Sequence, residues 1–170
     1  MSTVNVQKVA QRATHARALL SGALGIFASL LALAWARFGY NLPSAVNVTS
    51  SQSESLMLLQ VALAFVTLVG SGLMLARYAV AGGVINVLGA LGTFVIGIYY
   101  SSYLADAARA KDLTALPLRF SDFYTNTVNI PTDRIVSTFV VVPVFPVALL
   151  LLISGLGALA TYRSSRRTGL

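Results

Sequence analysis

Four long apolar runs, separated by polar stretches, dominate the hydrophobic pattern of the chain. A helix rises about 1.5 Å per residue, so about 20 apolar residues are enough to cross the hydrocarbon core of a bilayer. The pattern therefore predicts an all-α integral membrane protein, built as an antiparallel bundle of four transmembrane helices. We expect these helices at about residues 18–36, 56–76, 81–103 and 135–162.

The third run repeats small or weakly polar residues at every fourth position. In lipid, such rows let helix backbones approach closely, and packing and hydrogen bonds replace the hydrophobic effect between helices. We therefore expect the third helix to be the one against which the others pack. The helix-packing residues that this pattern predicts are Gly82, Asn86, Gly89, Thr93, Gly97 and, on the fourth helix, Gly157.

The polar segments between the runs differ in charge. Residues 1–17, the turn at 77–80 and the tail at 163–170 together hold seven Lys or Arg and no acid. The two long loops, residues 37–55 and 104–134, hold five Lys or Arg and all five acids. Because basic residues are enriched on the cytoplasmic side, this pattern predicts a multi-pass protein of the cell membrane with both termini in the cytoplasm. No segment is long enough for a second domain, so residues 1–170 form one domain.

The net charge of +7 would suggest nucleic acid as a partner if the protein were soluble. Only 10% of the residues are charged, however, against about 25% in soluble domains. The predicted topology also accounts for the net charge, since it all falls on the cytoplasmic face, opposite anionic lipid head groups. The expected partners are therefore lipids, other membrane subunits or copies of the chain, and not nucleic acid.

The sequence lacks the residues that most membrane chemistry requires. It contains no cysteine and a single histidine, His15, and the four spans contain no Asp, Glu, Lys, Arg or His. Proton-coupled transport usually depends on such residues inside the membrane. We find no nucleophile with a base, no phosphate-binding loop and no metal-ligand spacing. We therefore expect no catalytic residue, cofactor or metal site, and no enzymatic activity.

Asn86 is the most polar residue well inside a predicted span. An unpaired amide in hydrocarbon costs a few kcal/mol, so this side chain needs partners. One interpretation is a hydrogen bond between helices that fixes their packing. The other is a side chain that lines a pore or binds a ligand. In the fourth span, Pro143 and Pro146 predict either a kink or a helix that begins near Pro143.

Aromatic residues cluster at the predicted outer ends of the spans. Trp35, Tyr99, Tyr100 and Tyr103 are typical of the aromatic belt at a membrane interface, although the same cluster could hold a quinone or a lipid head group. Asn47 begins an Asn-Val-Thr sequon in the first outer loop and is a candidate glycosylation site.

These features favour a non-catalytic structural or accessory subunit of a larger membrane assembly, for example a respiratory or other energy-converting complex or an envelope lattice. The first alternative is a homo-oligomeric channel or small carrier, with a path lined by Asn86, Thr93 and Thr67. The second is a membrane protein that binds a quinone or a lipid.

Overall fold

The computed structural model describes residues 3–45, 51–109 and 144–167, and these residues are helical except for a turn at 76–78. Within these ranges the chain forms four helices: α1 (Thr3–Ala45), α2 (Ser51–Leu75), α3 (Ala79–Arg109) and α4 (Val144–Arg167). The candidate glycosylation site Asn47 lies outside the described residues, as do residues 110–143.

All four helices contain a segment long and apolar enough to cross a membrane. These segments are His15–Tyr40, Glu54–Leu75, Ala79–Tyr100 and Val144–Tyr162. The prediction of an all-helical chain with four candidate spans is confirmed for the described residues. Four such helices indicate a multi-pass membrane protein.

The helices extend further than the sequence pattern predicted. Residues 37–45 and 51–55, expected in a loop, belong to α1 and α2, and α3 continues through Arg109. The 43 residues of α1 correspond to about 64 Å, about twice the thickness of a hydrocarbon core. The prediction equated each helix with its apolar part, whereas a helix can continue into water because its backbone hydrogen bonds are internal.

The described part of α4 begins at Val144, so the choice between a kink and a helix that begins near Pro143 stays a prediction. Pro146 lies in its first turn, where a backbone N–H has no partner within the helix and its absence is tolerated. Residues 135–143, the first part of the predicted span, lie outside the described residues.

The four helices form a bundle in which each packs against two neighbours. α2 and α4 both pack against α1 and against α3, whereas α1 and α3 touch each other only slightly. The expectation that α3 would be the central helix is therefore wrong, because α1 has the same two neighbours.

Small side chains fill the centre of the bundle, and large ones face outward. The core cluster is built mainly from alanines, including Ala28, Ala32 and Ala64. Large apolar side chains, most of them leucine or valine, are exposed on every helix, for example Leu20 and Leu88. This distribution suits a lipid environment, where close backbone approach replaces the hydrophobic effect between helices.

A tight turn at Arg77 joins α2 to α3. The N–H of Tyr78 donates to the carbonyl of Leu73 at 2.8 Å, and the N–H of Arg77 donates to the carbonyl of Met74 at 3.2 Å. This pair of bonds is the Schellman motif that ends many helices. Arg77 occupies the left-handed position of the motif with φ of 75°, where glycine is the usual residue.

Candidate functional site

The most distinctive site is a set of hydrogen bonds that joins all four helices around Asn86. Asn86 on α3 is fully buried, and its Nδ2 donates to Ser71 Oγ on α2 at 2.9 Å and to Ser154 Oγ on α4 at 3.1 Å. Ser154 Oγ in turn donates to the carbonyl of Ser21 on α1 at 2.7 Å. We call these four residues the Asn86 node. The amide thus makes hydrogen bonds between helices and has no exposure to an open path.

The protons of the node form a consistent set. Ser71 Oγ donates to the carbonyl of Thr67 at 2.8 Å, and Ser154 Oγ donates to that of Ser21, so both hydroxyl protons are in use. Each hydroxyl oxygen therefore accepts a proton from Asn86, which requires the nitrogen of the amide to face the two serines. Asn86 Oδ1 points elsewhere and has no hydrogen-bond partner among the described residues.

Two glycines on neighbouring helices provide the space that the Asn86 amide occupies. A Cβ atom at Gly25 on α1 would lie 2.5 Å from Asn86 Nδ2 and 2.6 Å from Ser154 Oγ. A Cβ atom at Gly70 on α2 would lie 2.9 Å from Asn86 Oδ1. The sequence pattern did not mark Gly25 or Gly70 as part of a site. Their link to Asn86 depends on the packing of three separate helices.

Two further polar contacts lie in the bundle. Gln60 Nε2 on α2 donates to Thr93 Oγ1 on α3 at 3.1 Å, while Gln60 Oε1 lacks a partner among the described residues. Ser29 Oγ on α1 lies 2.9 Å from Thr67 Oγ1 on α2 and 2.8 Å from the carbonyl of Gly25. Because the hydroxyl has one proton, it donates a hydrogen bond to only one of these two oxygens at a time. Thr67 and Thr93, which the channel alternative placed along a path, are both buried and engaged in these contacts.

The glycines predicted to pack helices all contact other helices of the same chain. Gly82 and Gly89 face α2, Gly97 faces Val144 on α4, and Gly157 faces Ser21 on α1. At Gly82 a Cβ atom would collide with the backbone carbonyl of Gly70, so the two backbones are in direct contact. These small surfaces are therefore used inside the bundle and are not left on its outside.

Two of the four aromatic residues predicted at the membrane interface lie inside the bundle. Trp35 is 3% exposed and Tyr100 is fully buried, and their rings meet edge to face with centroids 6.4 Å apart. Tyr103 is half-buried, and only Tyr99 is largely exposed, at 56%. Trp35 and Tyr100 therefore fill space between the helices, and the position of the four aromatic residues at a membrane interface stays a prediction.

The hydroxyl of Tyr100 satisfies a backbone carbonyl that a proline leaves free. Tyr100 Oη donates to the carbonyl of Gly39 on α1 at 2.6 Å. In a regular helix this carbonyl would accept from the N–H four residues later, but that residue is Pro43, which has no N–H. The bond explains how α1 continues through Pro43 and why a tyrosine can be buried there.

A shallow apolar groove of about 140 Å³ lies between α3 and α4. Small residues, Ala90 and Ala148, contribute to its lining, and Leu91, Phe145 and Leu149 are its exposed members. Phe94 and Phe145, which pack edge to face with centroids 6.1 Å apart, also line it. Because all of its lining residues are apolar, the groove suits a hydrocarbon chain or an apolar side chain.

Among the described residues, no group of three or more His, Cys, Asp or Glu is arranged to hold a metal ion. No protein-family model matches the chain, and no curated protein or solved structure matches it significantly.

Proposed function

We propose that this chain is a four-span protein of the cell membrane with helices that alternate in direction and both termini in the cytoplasm. The contacts between neighbouring helices support the alternation. Gly22, early in α1, lies against Leu75 at the end of α2, whereas Gly39, late in α1, lies against Met57 near the start of α2. The distribution of Lys and Arg supports the cytoplasmic position of the termini.

Within this topology, the role that fits best is a non-catalytic structural or accessory subunit of a larger membrane assembly. The observation that carries this proposal is the Asn86 node, because it ties the four helices into one unit and pairs the amide nitrogen of Asn86 and the hydroxyl groups of Ser71 and Ser154 internally. The outward surface is correspondingly apolar, so contacts with other membrane proteins depend on close lateral packing. The groove between α3 and α4 is a concave part of that surface. We assign it as the place where apolar side chains of a partner protein bind.

The groove also favours a second candidate function, the binding of a hydrocarbon tail such as that of a lipid or a quinone. Its lining offers no hydrogen-bonding side chain, so it would hold only the tail of such a molecule. The two candidates differ in what occupies the groove in the native membrane, a partner polypeptide or a small molecule.

Native mass spectrometry after extraction from the chain's own membranes in mild detergent tests the proposed role. An accessory subunit gives a mass that includes other polypeptides. A clean multiple of 17.9 kDa contradicts this role and favours a self-assembling channel or lattice protein. A single copy that retains a quinone or a lipid favours the second candidate.

A photo-crosslinking experiment tests whether the groove is the contact surface. We place a photoreactive amino acid at Leu91 or Leu149, which are exposed members of the groove lining, and at Leu30 on α1 as a matched exposed control. We expect a crosslinked polypeptide from the two groove positions and not from Leu30. A crosslink confined to Leu30 would assign the interface to another face.

A further inference from the structure

One end of the bundle carries a high density of positive charge. Seven Lys or Arg and the single histidine belong to the segments that meet there, and these segments contain no Asp or Glu. We call this the basic end. Its basic residues are Lys8, Arg12, His15 and Arg17 on α1, Arg77 in the α2–α3 turn, and Arg163, Arg166 and Arg167 on α4.

Packing contacts bring these three segments together. Gly22 of α1 lies against Leu75, which places Arg77 near the level of the α1 residues just before Gly22. Gly157 of α4 lies against Ser21, so the last turns of α4 run beside the earlier turns of α1. Like charges gathered on adjacent elements repel one another unless an anion lies among them.

We propose that the basic end binds the head groups of anionic phospholipids, with Arg17 and Arg77 as the principal contacts. Both side chains are exposed, and both lie within about one helical turn of an apolar segment boundary, at His15 and Leu75. This depth corresponds to the head-group layer, which adds roughly 5–7 Å to each side of the hydrocarbon core. A guanidinium group can donate two parallel hydrogen bonds to one phosphate.

The tyrosines at this end favour a lipid over a soluble acidic protein as the partner. Tyr78 follows Arg77 directly and is 65% exposed, and Tyr162 ends the apolar segment of α4 and is 41% exposed. Tyrosines at such positions lie at the level of the head groups, because the ring is apolar and the hydroxyl is polar. The arginines therefore lie where phosphates are concentrated.

The test uses the isolated full chain in nanodiscs that contain equal parts of phosphatidylglycerol and phosphatidylcholine. The lipids that stay bound after transfer to detergent are measured by native mass spectrometry. We expect the wild type to retain phosphatidylglycerol preferentially. Arg17→Gln and Arg77→Gln should each lower that preference about fivefold, because one basic residue near an anionic membrane surface contributes about 1 kcal/mol of binding free energy. Arg37→Gln removes an exposed arginine at the opposite end of α1, outside the basic end, and is the matched control: it should lower the preference less than Arg17→Gln or Arg77→Gln does.

Two variants at position 77 separate charge from backbone geometry. Arg77→Lys keeps the charge and should retain most of the preference. Arg77→Gly fits the left-handed position but lacks the charge, so it should show the same fall in preference as Arg77→Gln while remaining folded, as judged by the fluorescence of the buried Trp35. Two results would overturn the proposal. One is a loss of phosphatidylglycerol preference in Arg37→Gln as large as that in Arg17→Gln or Arg77→Gln, and the other is an unchanged preference in the variant that combines Arg17→Gln with Arg77→Gln. So would an acidic polypeptide that binds this end without any lipid preference.

This inference rests on the proposed membrane topology and not on the accessory role. Because the lipid measurement uses the chain alone, it can succeed or fail independently of the mass of the native assembly.

Discussion

At the scale of single residues, Asn86 has the largest structural consequences. Burying a carboxamide in hydrocarbon costs free energy that its hydrogen bonds offset, and Nδ2 of Asn86 has two partners on two other helices, while its Oδ1 has none among the described residues. In membrane proteins such interhelical hydrogen bonds contribute about 0.6 kcal/mol each on average. The node is thus a modest source of stability but a strong source of specificity, because only one arrangement of the helices brings Ser71 and Ser154 to the same amide.

Replacing Asn86 with alanine should lower the free energy of unfolding by about 1–2 kcal/mol, from the loss of two interhelical hydrogen bonds and of packing contacts. The effect should exceed that of Ser71→Ala, because Ser71 makes one of the two bonds to Asn86 and its other bond, to the carbonyl of Thr67, lies within α2. Ser154→Ala should cost about as much as Asn86→Ala, because Ser154 also makes two interhelical bonds, with Asn86 and with the carbonyl of Ser21. Unfolding in mixed micelles, followed by Trp35 fluorescence, provides the measurement. Ser55→Ala is the control, since Ser55 is exposed and bonds only to its own helix at Ser51. A loss at Asn86 no larger than that at Ser55 would contradict the importance of the node.

The left-handed conformation of Arg77 leads us to expect the opposite effect, a gain in stability when this residue is replaced by glycine. A residue with a Cβ atom pays about 1–2 kcal/mol for this conformation, whereas glycine does not. Arg77→Gly should therefore raise the free energy of unfolding by up to about 1 kcal/mol in neutral detergent. Arg77→Ala removes the charge without relieving the strain and should show no gain. If alanine stabilises the protein as much as glycine does, the effect comes from charge and not from the backbone.

At the scale of the helices, the position of a glycine decides how its replacement by alanine changes the stability of the bundle. Gly25 lies against the Asn86 node, whereas a Cβ atom at Gly72 on α2 would meet nothing within 4 Å. Gly25→Ala should destabilise the bundle by about 1–3 kcal/mol, because the added methyl group forces the polar side chains apart. Gly72→Ala should be neutral or should stabilise α2 by about 0.5–1 kcal/mol, since alanine is the better helix former. The same unfolding assay distinguishes them, and equal effects at the two sites would contradict the packing described for Gly25.

Most of the helices could be predicted from the sequence, but the neighbour that each helix packs against could not. Four apolar runs were sufficient to predict four spans, because length and polarity determine what can cross a bilayer. The row through Gly89 and Gly97 predicted close contacts on α3. Periodicity within one helix cannot show which helix lies opposite, so the roles of Gly25 and Gly70 and the contact between Tyr100 and Gly39 became visible only in three dimensions.

At the scale of the whole molecule, most small residues face inward and most large apolar ones outward, with Trp35 and Tyr100 as large residues inside, so the bundle is closed by its own packing. The sequence pattern predicted helix-packing residues without showing whether they contact this chain or another subunit, and Gly82, Gly97 and Gly157 contact helices of the same chain. Replacing Gly97 with leucine should consequently disturb the chain's own fold first, and any effect on the size of a complex would follow from that.

The orientation of the whole molecule can be tested with single cysteines, because the chain contains none. Ala76→Cys lies in the exposed α2–α3 turn beside the basic end, and Gln52→Cys is exposed near the start of α2. If the helices alternate in direction with the termini in the cytoplasm, a membrane-impermeant maleimide should label Gln52→Cys only from the outside of intact cells. It should label Ala76→Cys only in inverted vesicles, because the Lys and Arg residues of the basic end keep that end on the cytoplasmic side.

Ala64→Cys, which is buried in the core, should not react from either side and reports on the integrity of the fold. Labelling of Ala76→Cys and Gln52→Cys from the same side would contradict a span between them, and labelling with the sides exchanged would place both termini outside. In the second case the basic end would face the outer leaflet, and the proposed contact of Arg17 and Arg77 with anionic lipids of the cytoplasmic leaflet would fail for the native membrane even if it held in nanodiscs.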